Sequence, residues 1–137
     1  MAEEEKRDWN SSAAGWKKWH GVSEKAAQTA TESMLDLAGI ASGYRVIDFA
    51  TGLGDTAVAC ARRVGDGGSV LATDAADNML EYARRYAADE GLNNISFARV
   101  DFDALFLDQG NFDAAICRWG LMFARDIVAS LSAIRSV

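Results

Sequence analysis

Proline is missing from all 137 residues. Turns that would accept it use glycine and aspartate instead, as in Gly65-Asp66-Gly67-Gly68, and no functional reading follows from that. Cysteine occurs only twice. Cys60 falls in an expected helix and Cys117 at an expected strand end, far apart in the chain. That separation argues for two buried, reduced thiols rather than a disulfide or a metal pair. Histidine occurs once, at position 20, and no spacing of His, Cys, Asp or Glu reads as a metal cluster or a catalytic triad. Positive charge is in deficit: 14 Lys and Arg against 20 Asp and Glu give a net charge of −6. Nucleic acid is therefore not an expected partner, because neutralising phosphates needs a basic face. Nor does any apolar run approach the length of a membrane span, and the acidic start Met1-Ala2-Glu3-Glu4-Glu5 is unlike a secretory signal. The expectation is a cytoplasmic protein without a membrane span.

What remains fits one domain, with half the residues apolar and so enough for a core. The chain is organised around Tyr44 to Ala61. In an expected strand over 44–50, an apolar pair, Val46 and Ile47, leads to Asp48; a glycine turn, Gly52-Leu53-Gly54, follows, and then an alanine-rich helical segment. Strand, glycine turn and helix in that order put backbone N–H groups and a helix N-terminus at the carboxyl end of a strand. Open α/β sheets bind nucleotide-like ligands there. The turn also satisfies the dinucleotide fingerprint as Gly52-x-Gly54-x-x-Ala57, so an NAD(P)-binding oxidoreductase stays open. Asp48 weighs against it, since a carboxylate beside two phosphates meets like charge. S-adenosylmethionine (SAM) has no phosphate and carries an ammonium and a sulfonium, which an acid favours.

Further acids recur at strand ends. The strand Ser69–Thr73 closes in Asp74, twenty residues after Gly54. At that distance a βαβ unit presents a carboxylate to ribose hydroxyls, and a carboxylate accepts both hydrogen bonds of a cis-diol. A third strand, 95–100, ends in Asp101, and a fourth, 112–117, leads into Arg118-Trp119-Gly120-Leu121-Met122-Phe123. Helices are expected from a Ser23 cap to Ala38, over 55–64, from an Asp77 cap to Gly91, and at the end, where Ile127, Val128, Leu131 and Ile134 share a face. Ahead of them, Trp9, Trp16 and Trp19 fall at roughly helical spacing. This stripe reads either as packing against the sheet domain or as a lid, with Trp16, Trp19 and His20 as candidates. His20 also reads as a base, or else as a solvated or capping residue. Residues 1–42 form an expected helical cap and 43–137 the sheet domain.

The pattern Asp48-x-x-x-Gly52-x-Gly54 resembles motif I of the class I SAM-dependent methyltransferases. The string Asp48-Phe49-Ala50-Thr51-Gly52-Leu53-Gly54-Asp55 is similar to their ubiquinone/menaquinone C-methyltransferase-like branch. The resemblance implies an α/β Rossmann-like parallel sheet with helices on both faces. It would be truncated after the fourth strand (order 3-2-1-4), because the family's strands five to seven have no residues here. It implies SAM as cofactor, held by Asp48, Ala50, Thr51, Gly52, Gly54 and Asp74. Ala75 to Met79 would lie beside the adenine, Asp101 would take its amino group and Phe102 would flank the ring. Arg118 would hold cofactor or an acceptor carboxylate, or else form a surface ion pair, and Trp119 would line the acceptor entrance. A small-molecule acceptor follows, as does the alternative of a SAM-binding half-domain inactive without a partner. Strand four, apolar at Phe112, Ala114 and Ile116, would need covering by a second copy in a homodimer or by a separate C-terminal half.

Overall fold

The computed structural model describes residues 8–104 and 111–137. Elements run α1 Trp9–Lys18, α2 His20–Leu37, β1 Arg45–Asp48, α3 Asp55–Val64, β2 Ser69–Asp74, α4 Asp77–Asp89, β3 Ile95–Arg99, β4 Ala114–Ile116 and α5 Ile127–Arg135, with a short 3-10 turn over Leu121–Phe123. Among the described residues four strands form one parallel sheet in the order β3-β2-β1-β4. Helices pack around it in the expected Rossmann-like arrangement. Parallel neighbours need long crossovers, and α3 and α4 make the first two.

Burial explains why these segments adopt these forms. β1, between β2 and β4, shows no exposure at Val46, Ile47 or Asp48, as a strand covered on both faces should. α3 turns Ala57, Cys60, Ala61 and Val64 onto Val46, Val70, Ala72 and Ile116, and Leu35 of α2 closes the same cluster. α4 buries Met79, Leu80, Ala83 and Ala87 at helical spacing. α1 packs on α4 through a smaller cluster of Ala13, Leu53, Ala76 and Met79.

Several boundaries differ from expectation. α2 begins at His20, not Ser23, whose hydroxyl instead bonds back to the His20 carbonyl at 3.0 Å inside the first turn. Ala76, not Asp77, is the N-cap of α4. β1 stops at Asp48 because Ala50 turns to φ +53°. β4 spans only Ala114–Ile116, and of its apolar residues only Ile116 is buried, Ala114 and Phe112 being partly covered. The expected apolar face of α5 is largely open, with Val128 74% and Leu131 49% exposed. No described helix is long and apolar enough to cross a membrane.

Candidate functional site

The carboxyl ends of all four strands open into one cavity of about 870 Å³. The cavity lies within the size range of small-molecule sites. Of the residues singled out in the sequence, Ala50, Thr51, Gly52, Asp74, Ala75, Met79, Asp101, Phe102, Arg118, Trp119 and Trp16 line it.

Asp74 holds the glycine turn in place. One carboxylate oxygen accepts the Gly52 N–H at 2.9 Å and the other accepts the Ala76 N–H at 2.9 Å. Burial raises its pKa, opposed by these backbone hydrogen bonds. The Ala75 N–H favours the same carboxylate; a carboxylate has about four lone-pair positions, so acceptor capacity is left over. Gly52, at φ +58°, takes a left-handed turn that lets its backbone reach Asp74.

Asp48 is not on that wall. It has no exposed surface, and one of its oxygens accepts the hydroxyls of Thr51, at 2.7 Å, and Thr56. The other oxygen is buried without a hydrogen-bond partner. Desolvation pushes its pKa up to about 7, against the two threonine hydrogen bonds and the charge of Arg118. The expected direct ligand is thus an acid beneath the loop. Gly54 also departs from expectation. It lies off the cavity at φ +95°, and a Cβ there would stand 3.0 Å from the Ala83 Cβ. Its place is close packing of the loop on α4.

Across the cavity, Ala50 at φ +53° and Trp119 at φ +62° both sit in the left-handed region. There a non-glycine residue costs on the order of 1–3 kcal/mol. Between them is Gly120, where a Cβ would come within 2.3 Å of the Ala50 Cβ. The ends of β1 and β4 therefore meet at a backbone crossing that holds the Trp119 ring out at the cavity rim, 57% exposed. Arg118 is engaged inward rather than in a surface pair. It donates to the Thr31 hydroxyl, reaches Asp55 at 3.7 Å and lies 4.9 Å from the Trp119 ring.

Trp19 and His20 do not line the cavity. Trp19 is 59% exposed, with the Lys18 ammonium 5.3 Å from its ring. His20 is buried, neither solvated nor capping; it faces Tyr82 at 2.8 Å and Asp55. Residues that sequence reasoning did not assign to the site complete the rim: Trp9 and Phe123, whose rings meet edge-on at 4.9 Å, with Met122 and Asp55. The tryptophan stripe and the segment after β4 carried the signal for the first three. Asp55, adjoining Gly54, carried none. A second cavity of about 290 Å³ lies beside α2 and α3 and shares Asp55 and Arg118 with the first.

This geometry, a glycine turn beside an acid-lined cavity at the carboxyl edge of a parallel sheet, coincides with a family match. Residues 46–137 match the methyltransferase domain, and the chain belongs to that family. It is 36% identical over 104 residues to the ubiquinone/menaquinone biosynthesis C-methyltransferase UbiE of Teredinibacter turnerae, covering 75% of this chain and 42% of that protein. An arsenic(III) S-adenosylmethionine methyltransferase from Chlamydomonas reinhardtii is 32% identical with a TM-score of 0.65, over 73% of this chain and 36% of that one. A SAM-dependent methyltransferase from Aquifex aeolicus shares the fold at 23% identity, with a TM-score of 0.71 over 78% of this chain and 57% of that one. The chain spans about two fifths of the length of the curated relatives it matches.

Proposed function

We propose that this chain binds S-adenosylmethionine in the larger cavity and serves methyl transfer to a small-molecule acceptor. The observation that carries the reading is Asp74: a carboxylate at the cavity wall, fixed by backbone N–H groups, with acceptor capacity left for a ribose hydroxyl. The residues fit the cofactor's chemistry. Among the described residues Asp55, Asp74, Asp101 and Asp103 line the cavity, against Arg118 and Arg125, the latter paired with Asp103 at 3.4 Å. Arg118 is already engaged by Asp55 and Thr31. An acid-rich wall suits an adenosine compound with a sulfonium and an ammonium better than a diphosphate. Phe102 and Met79 offer apolar surface to the adenine, and Asp101 offers an acceptor for its amino group.

When bound, the cofactor supplies an electrophilic methyl group on a good leaving group. The protein's part is then mainly proximity, alignment and exclusion of water. Trp9, Trp16, Trp119, Met122 and Phe123 give the cavity an apolar, aromatic rim, which suits an acceptor with a planar apolar face. Binding is tested by calorimetric titration with SAM, its demethylated product and NAD. The two sulfur compounds should bind and raise the melting temperature. Asp74→Asn should weaken them more than tenfold. Binding of NAD alone would favour the oxidoreductase reading.

A second reading is favoured by the open face of α5 and by β4 at the sheet edge: a cofactor-binding half that needs a partner for turnover. The partner is a second copy or a separately encoded C-terminal half lying over β4 and α5. Labelled-methyl transfer by the chain alone, compared with cofactor binding, separates the two readings. Light scattering that shows a well-behaved monomer at high concentration would count against the second copy.

A further inference from the structure

His20 and Glu24 stand one helical turn apart on one face of α2, and Asp55 opens α3 directly after the glycine turn. The fold brings the three together, although nothing in their sequence spacing announces it. One ligand atom from each, a ring nitrogen and two carboxylate oxygens, all lie within 4.8 Å of one another. Each side chain is also held by a further group. Tyr82 Oη lies 2.8 Å from His20 Nδ1, and the Tyr86 hydroxyl donates to Glu24 Oε1 at 2.9 Å. Arg118 lies 3.7 Å from the second oxygen of Asp55. His20 Nε2 and Asp55 Oδ1 face each other directly.

We propose that His20, Glu24 and Asp55 form a site for a first-row transition-metal dication such as Zn²⁺. One imidazole and two carboxylates make a mixed nitrogen and oxygen set of the kind zinc accepts. Magnesium and calcium prefer oxygen ligands alone. The Tyr82 hydroxyl can accept the proton of Nδ1, which leaves the Nε2 lone pair for the metal. Metal-bound histidines are oriented in this way by a partner on the other nitrogen. With the proton on Nδ1, Nε2 and Asp55 Oδ1 oppose lone pair to lone pair, and a cation between them removes the repulsion.

Ligands about 2.0–2.2 Å from a tetrahedral zinc lie about 3.4 Å apart. His20 and Asp55 must therefore part and the farthest ligand close in by up to about 1.4 Å, within reach of side-chain rotation. Glu24 and Asp55 border the 290 Å³ cavity, which gives the ion a route in and a place for a water ligand. Besides the two carboxylates, the Arg118 guanidinium faces Asp55, Asp89 and Glu90 act on Tyr82 and Tyr86 respectively, and the Lys17 ammonium lies 5.6 Å from the Tyr82 ring. The ion would join α2 to the helix that follows the glycine turn and fix Asp55 at the wall shared by both cavities. Its role is structural.

Because the chain has a single histidine, its ring resonances report on this site alone. The full chain, made without an affinity tag and stripped with a chelator, is titrated with ZnCl₂ by NMR and calorimetry. The expected result is a saturable shift of the His20 ring signals at one equivalent, with a rise in melting temperature. MgCl₂ should leave those signals in place. Glu24→Gln, at a partly exposed position, should weaken Zn²⁺ binding at least tenfold while the melting temperature of the metal-free protein stays close to that of the parent. Unmoved His20 signals at millimolar Zn²⁺ would overturn the proposal and leave a hydrogen-bonded His20–Asp55 pair. Equal affinity in the parent, Glu24→Gln and Asp55→Asn would overturn it as well.

Discussion

Replacing Asp48 with asparagine should stabilise the protein, increasingly as pH rises from about 4 to about 7. Asp48 is fully buried under the glycine turn, with two threonine hydroxyls on one oxygen and no partner on the other. Its pKa rises from 3.8 to about 7, chiefly by desolvation. The folded state therefore holds a proton that the unfolded chain releases near pH 4. Between those values the native state binds more protons than the unfolded state, so stability falls as pH rises from about 4 to about 7. At about 1.36 kcal/mol per unit, roughly three units amount to about 4 kcal/mol at pH 8. Below pH 4 that loss is absent. Asparagine has the shape of the protonated acid: its carbonyl oxygen can accept both threonine hydroxyls, and its NH₂ takes the place of the unpartnered oxygen. Urea unfolding of both proteins at pH 5 and pH 8 measures the effect. The variant's advantage should grow by about 2–4 kcal/mol between the two pH values, with other titrating groups cancelling in the difference. A gap independent of pH, or an asparagine variant less stable at both, would refute the reasoning.

Gly54→Ala should destabilise by roughly 2–5 kcal/mol, combining left-handed backbone strain with overpacking against Ala83; a denaturant midpoint equal to the parent's would contradict this. Trp119→Gly removes the rim indole but relieves a left-handed residue. Thermal unfolding should show stability unchanged or higher, with SAM affinity within about twofold and acceptor KM raised. Cys60 is buried as expected, whereas Cys117 is only partly buried; burial pushes the Cys60 thiol up to about 12 and the Cys117 thiol up to about 11. Neither should react with iodoacetamide at pH 8 in the native state, both should react in urea, and mass spectrometry reads the difference.

The residues alone determined the alternation of strands and helices, the glycine turn after β1 and the acids at strand ends. The order β3-β2-β1-β4 came from the family resemblance and was borne out by the structure; the first three are legible without it. Those features are local: a run of apolar residues, a turn that needs φ > 0, a helix period. The three acids, however, look alike in sequence, each ending a strand, and tertiary structure separated them. Asp48 turns under the loop and is sealed between Thr51 and Thr56, while Asp74 and Asp101 reach the cavity. Gly54 reads as a ligand loop residue until α4 is seen against it, because a close approach between helices leaves no mark in one chain's periodicity. Tertiary packing likewise placed His20, Glu24 and Asp55 together and turned Trp19 outward. Side-chain destination depends on what packs opposite, and the opposing residues lie tens of positions away.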